Sequence, residues 1–98
     1  MVGGASPNLP NFEFDEAKSE SNKIKHGLDF EQGQAIWLDP DAVQVNSSFA
    51  DEQRILRVGK ICDKLWTVVF TLRDDAVRLI SVRRARPREA RLYGKEDD

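Results

Sequence analysis
The sequence predicts an α+β fold with two N-terminal helices, a four-stranded antiparallel meander and a C-terminal helix, the helices lying against one face of the sheet. Capping and helix-forming residues dominate between positions 15 and 38. From position 42 the apolar residues recur at every second position, in four segments separated by polar turns, and this alternation is typical of strands. A proline at position 87 fits the first turn of a last helix.

The first helix is predicted to begin at Asp15 and to end before Gly27. The Asp15 side chain can accept hydrogen bonds from the first amide groups, and Gly27 can adopt the left-handed conformation that closes a helix. The apolar residues of this segment are few, Ala17 and Ile24. We therefore expect the helix to pack through a small surface and to show its polar side.

A second helix is predicted over residues 30–38, because Asp29 can cap it and the Asp39-Pro40 pair stops it. The four strands are predicted over residues 42–46, 54–61, 65–73 and 76–82, and the last helix over residues 87–93. In the strand 54–61, Gly59 indicates a bulge or a close approach of another segment.

Length and composition predict one globular domain, since 40% of the residues are apolar and 33% are charged. Residues 1–11 are rich in Gly, Pro and Asn and are expected to form a flexible leader. Residues 12–94 are expected to form the domain, and residues 95–98 an acidic tail.

The composition also argues against several classes of protein. No apolar run approaches the roughly 20 residues that a membrane helix needs, and the N-terminus lacks the basic start and apolar stretch of a signal peptide. A single cysteine, Cys62, cannot form an internal disulfide, so a reducing, cytoplasmic setting is expected. One cysteine and one histidine give no soft-metal cluster, so neither a metal nor another cofactor is predicted.

Positive charge is concentrated in residues 78–91, which hold six arginines against one acid, Glu89, whereas the whole chain has a net charge of −2. Guanidinium groups stay protonated and present planar forks of donors that match phosphate oxygens. The stretch therefore predicts a site for a nucleic-acid backbone or for an acidic partner surface. A solvated helix face with incidental arginines is the equally open alternative.

Strand alternation predicts a polar platform on one face of the sheet. In the strand 65–73, Thr71 and Arg73 point away from Trp66 and Val68. In the strand 76–82, alternation groups Leu79, Ser81 and Arg83 on one side and Arg78, Ile80 and Val82 on the other. The resulting platform consists of Thr71, Arg73, Ser81 and Arg83, held on rigid strands as a phosphate site requires.

Several motifs, in this order, resemble the BrnT family of ribonuclease toxins. They are residues 12–18 (Phe-Glu-Phe-Asp-Glu-Ala-Lys), Asn22, residues 25–31 (Lys-His-Gly-Leu-Asp-Phe-Glu), the Arg54 to Gly59 spacing, residues 68–71 (Val-Val-Phe-Thr), residues 78–85 (Arg-Leu-Ile-Ser-Val-Arg-Arg-Ala), Glu89 and Tyr93. The resemblance covers residues 12–93. It implies a RelE-like fold and a type II toxin that acts on RNA and is held inactive by a BrnA-type antitoxin. One departure is Arg86, which stands where the family more often has a Ser or Thr cap three residues before Glu89, so that the usual capping box is half lost.

Metal-independent RNA cleavage needs a base for the 2′-hydroxyl, cations for the phosphate and an acid for the leaving 5′-oxygen. Arg83 is the first candidate for phosphate stabilisation; Ser81 on the same face can donate a hydrogen bond, and Arg54 can reach the same platform. His26, with a side-chain type that titrates near neutrality, is a candidate acid or base, and Lys25 can steady the phosphate or shuttle a proton. For each of these residues a purely structural role is the alternative.

The predicted RNA-binding residues around this centre are Arg73, Arg84, Arg86 and Arg88. Alternation places Arg84 on the face opposite Arg83, where it can meet the antitoxin or a helix end. Lys18 and Asn22 are expected to be structural, and Tyr93 to pack the last helix on the sheet. The predicted function is thus an endoribonuclease toxin that inhibits translation. The alternatives are a non-catalytic RNA- or protein-binding module, and a copy that keeps the fold and antitoxin binding without activity.

Overall fold
The computed structural model describes residues 9–49 and 52–94, which form five strands and three α-helices. In chain order they are β1 (Asn11–Glu13), α1 (Glu16–His26), α2 (Phe30–Gly33), β2 (Val43–Phe49), β3 (Glu52–Ile61), β4 (Lys64–Arg73), β5 (Ala76–Arg84) and α3 (Pro87–Gly94), and a 3-10 helix, Gln34–Leu38, follows α2. No helix in this described part is long and apolar enough to cross a membrane. The predicted acidic tail and most of the predicted leader lie outside the described residues.

The α+β class is confirmed, but the predicted four-stranded antiparallel sheet is wrong. The sheet has five strands in the order β1-β5-β4-β3-β2, of which β2 to β5 form the antiparallel meander. The fifth strand, β1, runs parallel to β5 and pairs Phe12 with Val77. Three residues are too few for an alternation to stand out in a sequence. What holds this strand is tertiary, because the Phe12 ring packs edge-on against Trp37 with centroids 4.9 Å apart.

Helix α1 has the predicted ends and a different packing surface. The Asp15 side chain accepts a hydrogen bond from the Lys18 amide at 3.1 Å, and Gly27 closes the helix with φ 102°. Ile24, which was expected to pack, is 87% exposed, whereas the buried residues are Ser19 and Asn22. The helix therefore docks through hydrogen bonds rather than through an apolar stripe.

Asn22 bonds to the open edge of β5 and to the segment that follows α1. Its side-chain amide donates to the carbonyl oxygens of Val82 and Leu28, both at 2.7 Å, and its oxygen accepts from the Val82 amide at 3.3 Å. The side chain thus replaces a neighbouring strand beyond the point where β1 ends. The predicted structural role of Asn22 agrees with these contacts.

The predicted second helix over residues 30–38 is wrong in its second half. An Asp29–Gln32 capping box starts α2, but the α-helix stops at Gly33 and continues as the 3-10 helix. A β-carbon on Gly33 would lie 2.6 Å from Val82 Cγ2, so the chain presses against β5 there. The tighter segment buries Ile36 completely and brings Trp37 within 5.1 Å of the Phe70 ring.

A β-bulge changes which side chains of β5 share a face. Ser81 pairs with Val69 and Leu79 with Phe70, so Ile80 is the extra residue. Leu79 consequently joins Val82 in the core, and Arg78, opposite Thr71, joins the other face. The predicted grouping of Leu79 with Ser81 and of Arg78 with Val82 is wrong for this reason.

Helices cover both faces of the sheet, which corrects the expectation of a single covered face. Helices α1 and α2 and the 3-10 helix pack on the face that carries Trp66, Val68 and Phe70. Helix α3 packs on the opposite face, where Thr67 is fully buried and donates a hydrogen bond to Glu89 at 2.8 Å. The sheet face beyond α3 is left open, and Arg54 of β3 and Arg78 and Arg83 of β5 lie there.

Candidate functional site
An open cleft of about 520 Å³ lies beside α3 on the face of the sheet away from the main core. Its polar lining includes Arg54 from β3, Ser81 and Arg83 from β5, and Arg86 and Arg88 from the start of α3. Apolar walls come from Val45, Leu56, Val69, Ile80 and Leu92. We call this the arginine cleft. Five of the predicted site residues meet in it, although they are spread over 35 positions of the sequence (54 to 88).

Glu89 fixes Arg83 at the edge of the cleft. The two side chains form a bidentate pair, with Nη1–Oε1 and Nη2–Oε2 both at 2.9 Å. Their side chains are only 16% and 10% exposed. Such a fork-to-fork pair fixes the plane of the guanidinium group as well as its position. The guanidinium of Arg83 is therefore preorganised.

The Glu89 carboxylate has two further donors, the Thr67 hydroxyl at 2.8 Å and the Arg86 amide at 2.9 Å, both to Oε1. The bond from the Arg86 amide to the Glu89 side chain is one half of a capping box. It uses the backbone of residue 86, so it does not need a Ser or Thr side chain there. Helix α3 accordingly begins at Pro87, as predicted, despite the arginine before it.

The environment of Glu89 keeps it ionised. Burial raises the pKa of its carboxyl, but the hydrogen bonds from Arg83, Arg86 and Thr67, together with the charge of Arg83, outweigh burial and lower the pKa from 4.5 to about 2. A carboxylate with so low a pKa is a poor proton acceptor near neutral pH. The geometry thus makes Glu89 the residue that positions Arg83 rather than a general base.

The arginine cleft is strongly cationic. Four arginines line it against the single carboxylate of Glu89, a local balance of +3 in a chain whose net charge is −2. Ser81 adds a hydroxyl on the same wall. Cations and a hydroxyl donor around an open cleft are the groups that a phosphodiester needs.

Arg84, Lys25 and His26 lie elsewhere. The Arg84 guanidinium carbon lies 5.7 Å from the centre of the Trp66 ring, and its Nε donates to the Leu65 carbonyl oxygen at 3.3 Å. Lys25 and His26 are exposed at the end of α1, and Gly27, the next residue, faces the same Trp66 ring. These three predicted residues therefore lie outside the lining of the arginine cleft, and of the three Arg84 is the one that contacts Trp66.

Sequence reasoning missed two features of the site. The role of Glu89 as the partner of Arg83 was not predicted, although an acid three residues after the position that precedes a helix is a recognisable capping signal. Arg78 was placed on the wrong face because no pattern in the sequence marks the bulge at Ile80. Arg73 lies, as predicted, on the same face as Ser81 and Arg83, and it lines a neighbouring cleft with Arg78.

The fold and the cleft together define a small α+β protein whose open sheet face suits a polyanion. The family model of the ribonuclease toxin BrnT, of type II toxin–antitoxin systems, matches residues 14–89. The chain therefore belongs to the BrnT ribonuclease toxin family, and the resemblance carried by its motifs is confirmed. Membership implies an RNA substrate and an antitoxin partner. A comparison with curated proteins gives no match.

Proposed function
We propose that this chain is an endoribonuclease toxin that cuts RNA through the 2′-hydroxyl without a metal ion and thereby inhibits translation in the cytoplasm. The observation that carries the proposal is the fixed Arg83 guanidinium at the edge of a cleft with three further arginines. Family membership supplies the reaction class. The residues that line the cleft support cleavage without a metal ion. The one carboxylate among the described lining residues, that of Glu89, already accepts four hydrogen bonds and is a poor metal ligand for that reason.

In this proposal the scissile phosphate lies against Arg83 and Arg54, and Ser81 donates a hydrogen bond to one of its oxygens. The 2′-oxygen attacks the adjacent phosphorus and loses its proton, the bond to the 5′-oxygen breaks, and that oxygen takes up a proton. The products are a 2′,3′-cyclic phosphate and a 5′-hydroxyl. Arginines stabilise the extra negative charge of the crowded phosphate, and one well-placed donor of this kind typically contributes about 100-fold to 1,000-fold in rate.

The remaining arginines bind RNA on either side of the scissile group. Arg86 and Arg88 line the same cleft at the start of α3, and Arg73 lies further along the open face. Arg84, whose guanidinium group lies over the Trp66 ring, binds RNA that passes around the end of β5. Its position also suits contact with the antitoxin.

The sequence predicts proton transfer by His26 with Lys25, and a general acid or base must lie within hydrogen-bond reach of the proton it moves. Both residues are exposed at the end of α1 but lie outside the lining of the arginine cleft, so proton transfer at a phosphate held by Arg83 falls to another group in the cleft or to water. The ionised Glu89 carboxylate is a poor acceptor, because it already accepts four hydrogen bonds and its pKa is about 2. Replacing His26 by Ala should therefore leave turnover unchanged. Loss of turnover with unchanged RNA affinity in that variant would return proton transfer to His26 and move the reacting phosphate to the end of α1.

The antitoxin in this proposal is of the BrnA type and covers the arginine cleft with an acidic or helical segment. Charge complementarity supports this arrangement, because the lining of the cleft carries a balance of +3. Burying the arginines of the cleft would exclude RNA from the site.

The test is cleavage of a long single-stranded RNA by the purified protein in EDTA. Wild type should produce fragments, Arg83→Ala should reduce the rate by at least about 100-fold, and Arg83→Lys should recover little because it loses the bidentate geometry. Lys64→Ala, at an exposed lysine outside the clefts, is the matched control and should cleave normally. Circular dichroism must show that each variant is folded. RNA that stays intact with wild type would refute free-standing cleavage, and binding without turnover would identify a non-catalytic module.

A further inference from the structure
A second cationic cleft, of about 410 Å³, lies next to the arginine cleft. Its basic lining residues are Lys18, Arg54, Arg73 and Arg78, and they come from four different elements, α1, β3, β4 and β5. The other described lining residues are Thr71, Leu72 and Ile80, so none of the lining residues is acidic. Tertiary structure, rather than a local run of arginines, brings these charges together.

The two clefts are continuous. Arg54 and Ile80 line both of them, and the bulge at Ile80 turns Arg78 to the same face of the sheet as Ser81 and Arg83. Arg83 and Arg78 are five residues apart on β5, which at the strand rise corresponds to about 16 Å. The open face thus carries one groove, with the fixed Arg83 toward one end and Arg78 toward the other.

Gathering these cations is unfavourable for the isolated protein. Arg78 lies opposite Thr71, and Arg73 is two residues further along β4 on the same face, so the two arginines are diagonal neighbours. Diagonal neighbours on one face of a sheet are within reach of each other when their side chains are long, so the two positive charges repel. Among the described residues, the ion pair that relieves Arg78 is with Glu13; its N–O distance is long, 3.7 Å, and it is partly exposed, and exposed pairs of this kind contribute little.

The groove also has a defined end. Glu13, Asp74 and Asp75 line the next depression along the sheet, beyond Arg73 and Arg78. A polyanion that follows the groove would meet carboxylates there. The cationic surface therefore has a limited length, from Arg88 to Arg73 and Arg78.

We propose that the second cleft is a phosphate subsite for single-stranded RNA, in which Lys18, Arg73 and Arg78 bind the backbone several nucleotides from the scissile phosphate. The inference rests on the proposed function, since it takes the arginine cleft as the place of cleavage. An RNA chain is favoured over a compact anion because Arg83 in one cleft and Arg78 in the other are about 16 Å apart along β5, and a continuous backbone is what spans such a distance. Lys18, expected to be structural, becomes a binding residue.

The test is the salt dependence of binding, measured by fluorescence anisotropy with 2′-O-methylated oligouridine, which binds without being cut. A 12-mer can fill the groove, whereas the two phosphates of a trinucleotide lie too close together to reach both clefts. For single strands the slope of log affinity against log salt changes by about 0.7 for each phosphate contact. The double variant Arg73→Gln, Arg78→Gln should therefore lower the slope for the 12-mer by about 1.4 and leave the trinucleotide unaffected.

Lys64→Gln removes one exposed positive charge outside the groove and is the control; it should leave both slopes unchanged. An unchanged slope for the 12-mer in the double variant, an equal loss for both lengths, or no RNA binding by wild type would overturn the proposal. If the double variant lost binding to polyglutamate, measured in the same way, but kept its binding to RNA, the cleft would be assigned to an acidic protein segment. That result would also overturn the proposal. If wild type bound RNA with the predicted dependence on length but did not cleave it, the ribonuclease reaction would be refuted. The proposed RNA-binding groove would still stand.

Discussion
Replacing Glu89 by Gln tests whether a fixed Arg83 is central to both stability and activity. The substitution keeps the shape of the side chain and removes the charge that holds Arg83. Because the pKa of Glu89 falls from 4.5 to about 2 on folding, its ionised form should contribute about 3 kcal/mol to the free energy of unfolding near pH 6. We expect Glu89→Gln to lose about that amount.

The pH dependence of this difference in unfolding free energy gives a sharper test than its size at a single pH. A carboxyl whose pKa is lower in the folded protein stabilises it at pH values above the unfolded pKa, and this stabilisation is lost as the pH falls from about 4.5 toward 2. The difference between wild type and Glu89→Gln should therefore shrink from about 3 kcal/mol at pH 6 to about 1 kcal/mol at pH 3. Urea unfolding followed by tryptophan fluorescence, at a series of pH values, measures it.

Glu20→Gln, at an exposed acid on α1, is the matched control and should differ from wild type by less than about 0.5 kcal/mol. In the RNA cleavage assay, Glu89→Gln should lower kcat, because Arg83 loses its fixed orientation. A difference in stability that stays constant from pH 6 to pH 3 would refute the linkage argument. Unchanged kcat in a folded variant would show that Arg83 does not need Glu89 to act.

Three further substitutions test the packing that presents the site. Asn22→Ala should lower the free energy of unfolding by about 3 kcal/mol in urea titrations, because it leaves the amide and carbonyl of Val82 without partners at a buried sheet edge. Gly33→Ala should lower the melting temperature, at a cost of about 1–3 kcal/mol, because the added methyl group would lie 2.6 Å from a fully buried Val82. Gly94→Ala is its control and should be neutral, because the space around Gly94 is open. Asp15→Ala should lose about 1 kcal/mol as α1 loses its cap, and a loss below the error of calorimetry would contradict the capping role.

The local signals in the sequence were sufficient for most element boundaries. Asp15 and Gly27 mark the ends of α1 because capping depends on the residue itself and its near neighbours. Pro87 marks the start of α3 for the same reason. The alternation from residue 42 onward placed the four antiparallel strands, with ends that differ by a few residues from β2 to β5.

Long-range contacts decided what local signals could not. The strand β1 exists because β5 offers it an edge and Trp37 packs on Phe12. The docking of α1 depends on the Asn22 contact with Val82, 60 positions away. A polar residue in a helix carries no sign in the sequence of such a distant partner.

For the site, the sequence by itself determined the residue types and the family. The residue types that can bind phosphate, Arg54, Ser81 and Arg83 among them, and the order of motifs that defines a BrnT toxin are all present in the linear chain. Only the tertiary structure decided which of these residues face one another. One extra residue in β5, Ile80, turns Arg78 toward the cleft and Leu79 into the core, because each shift of one position in a strand exchanges its two faces.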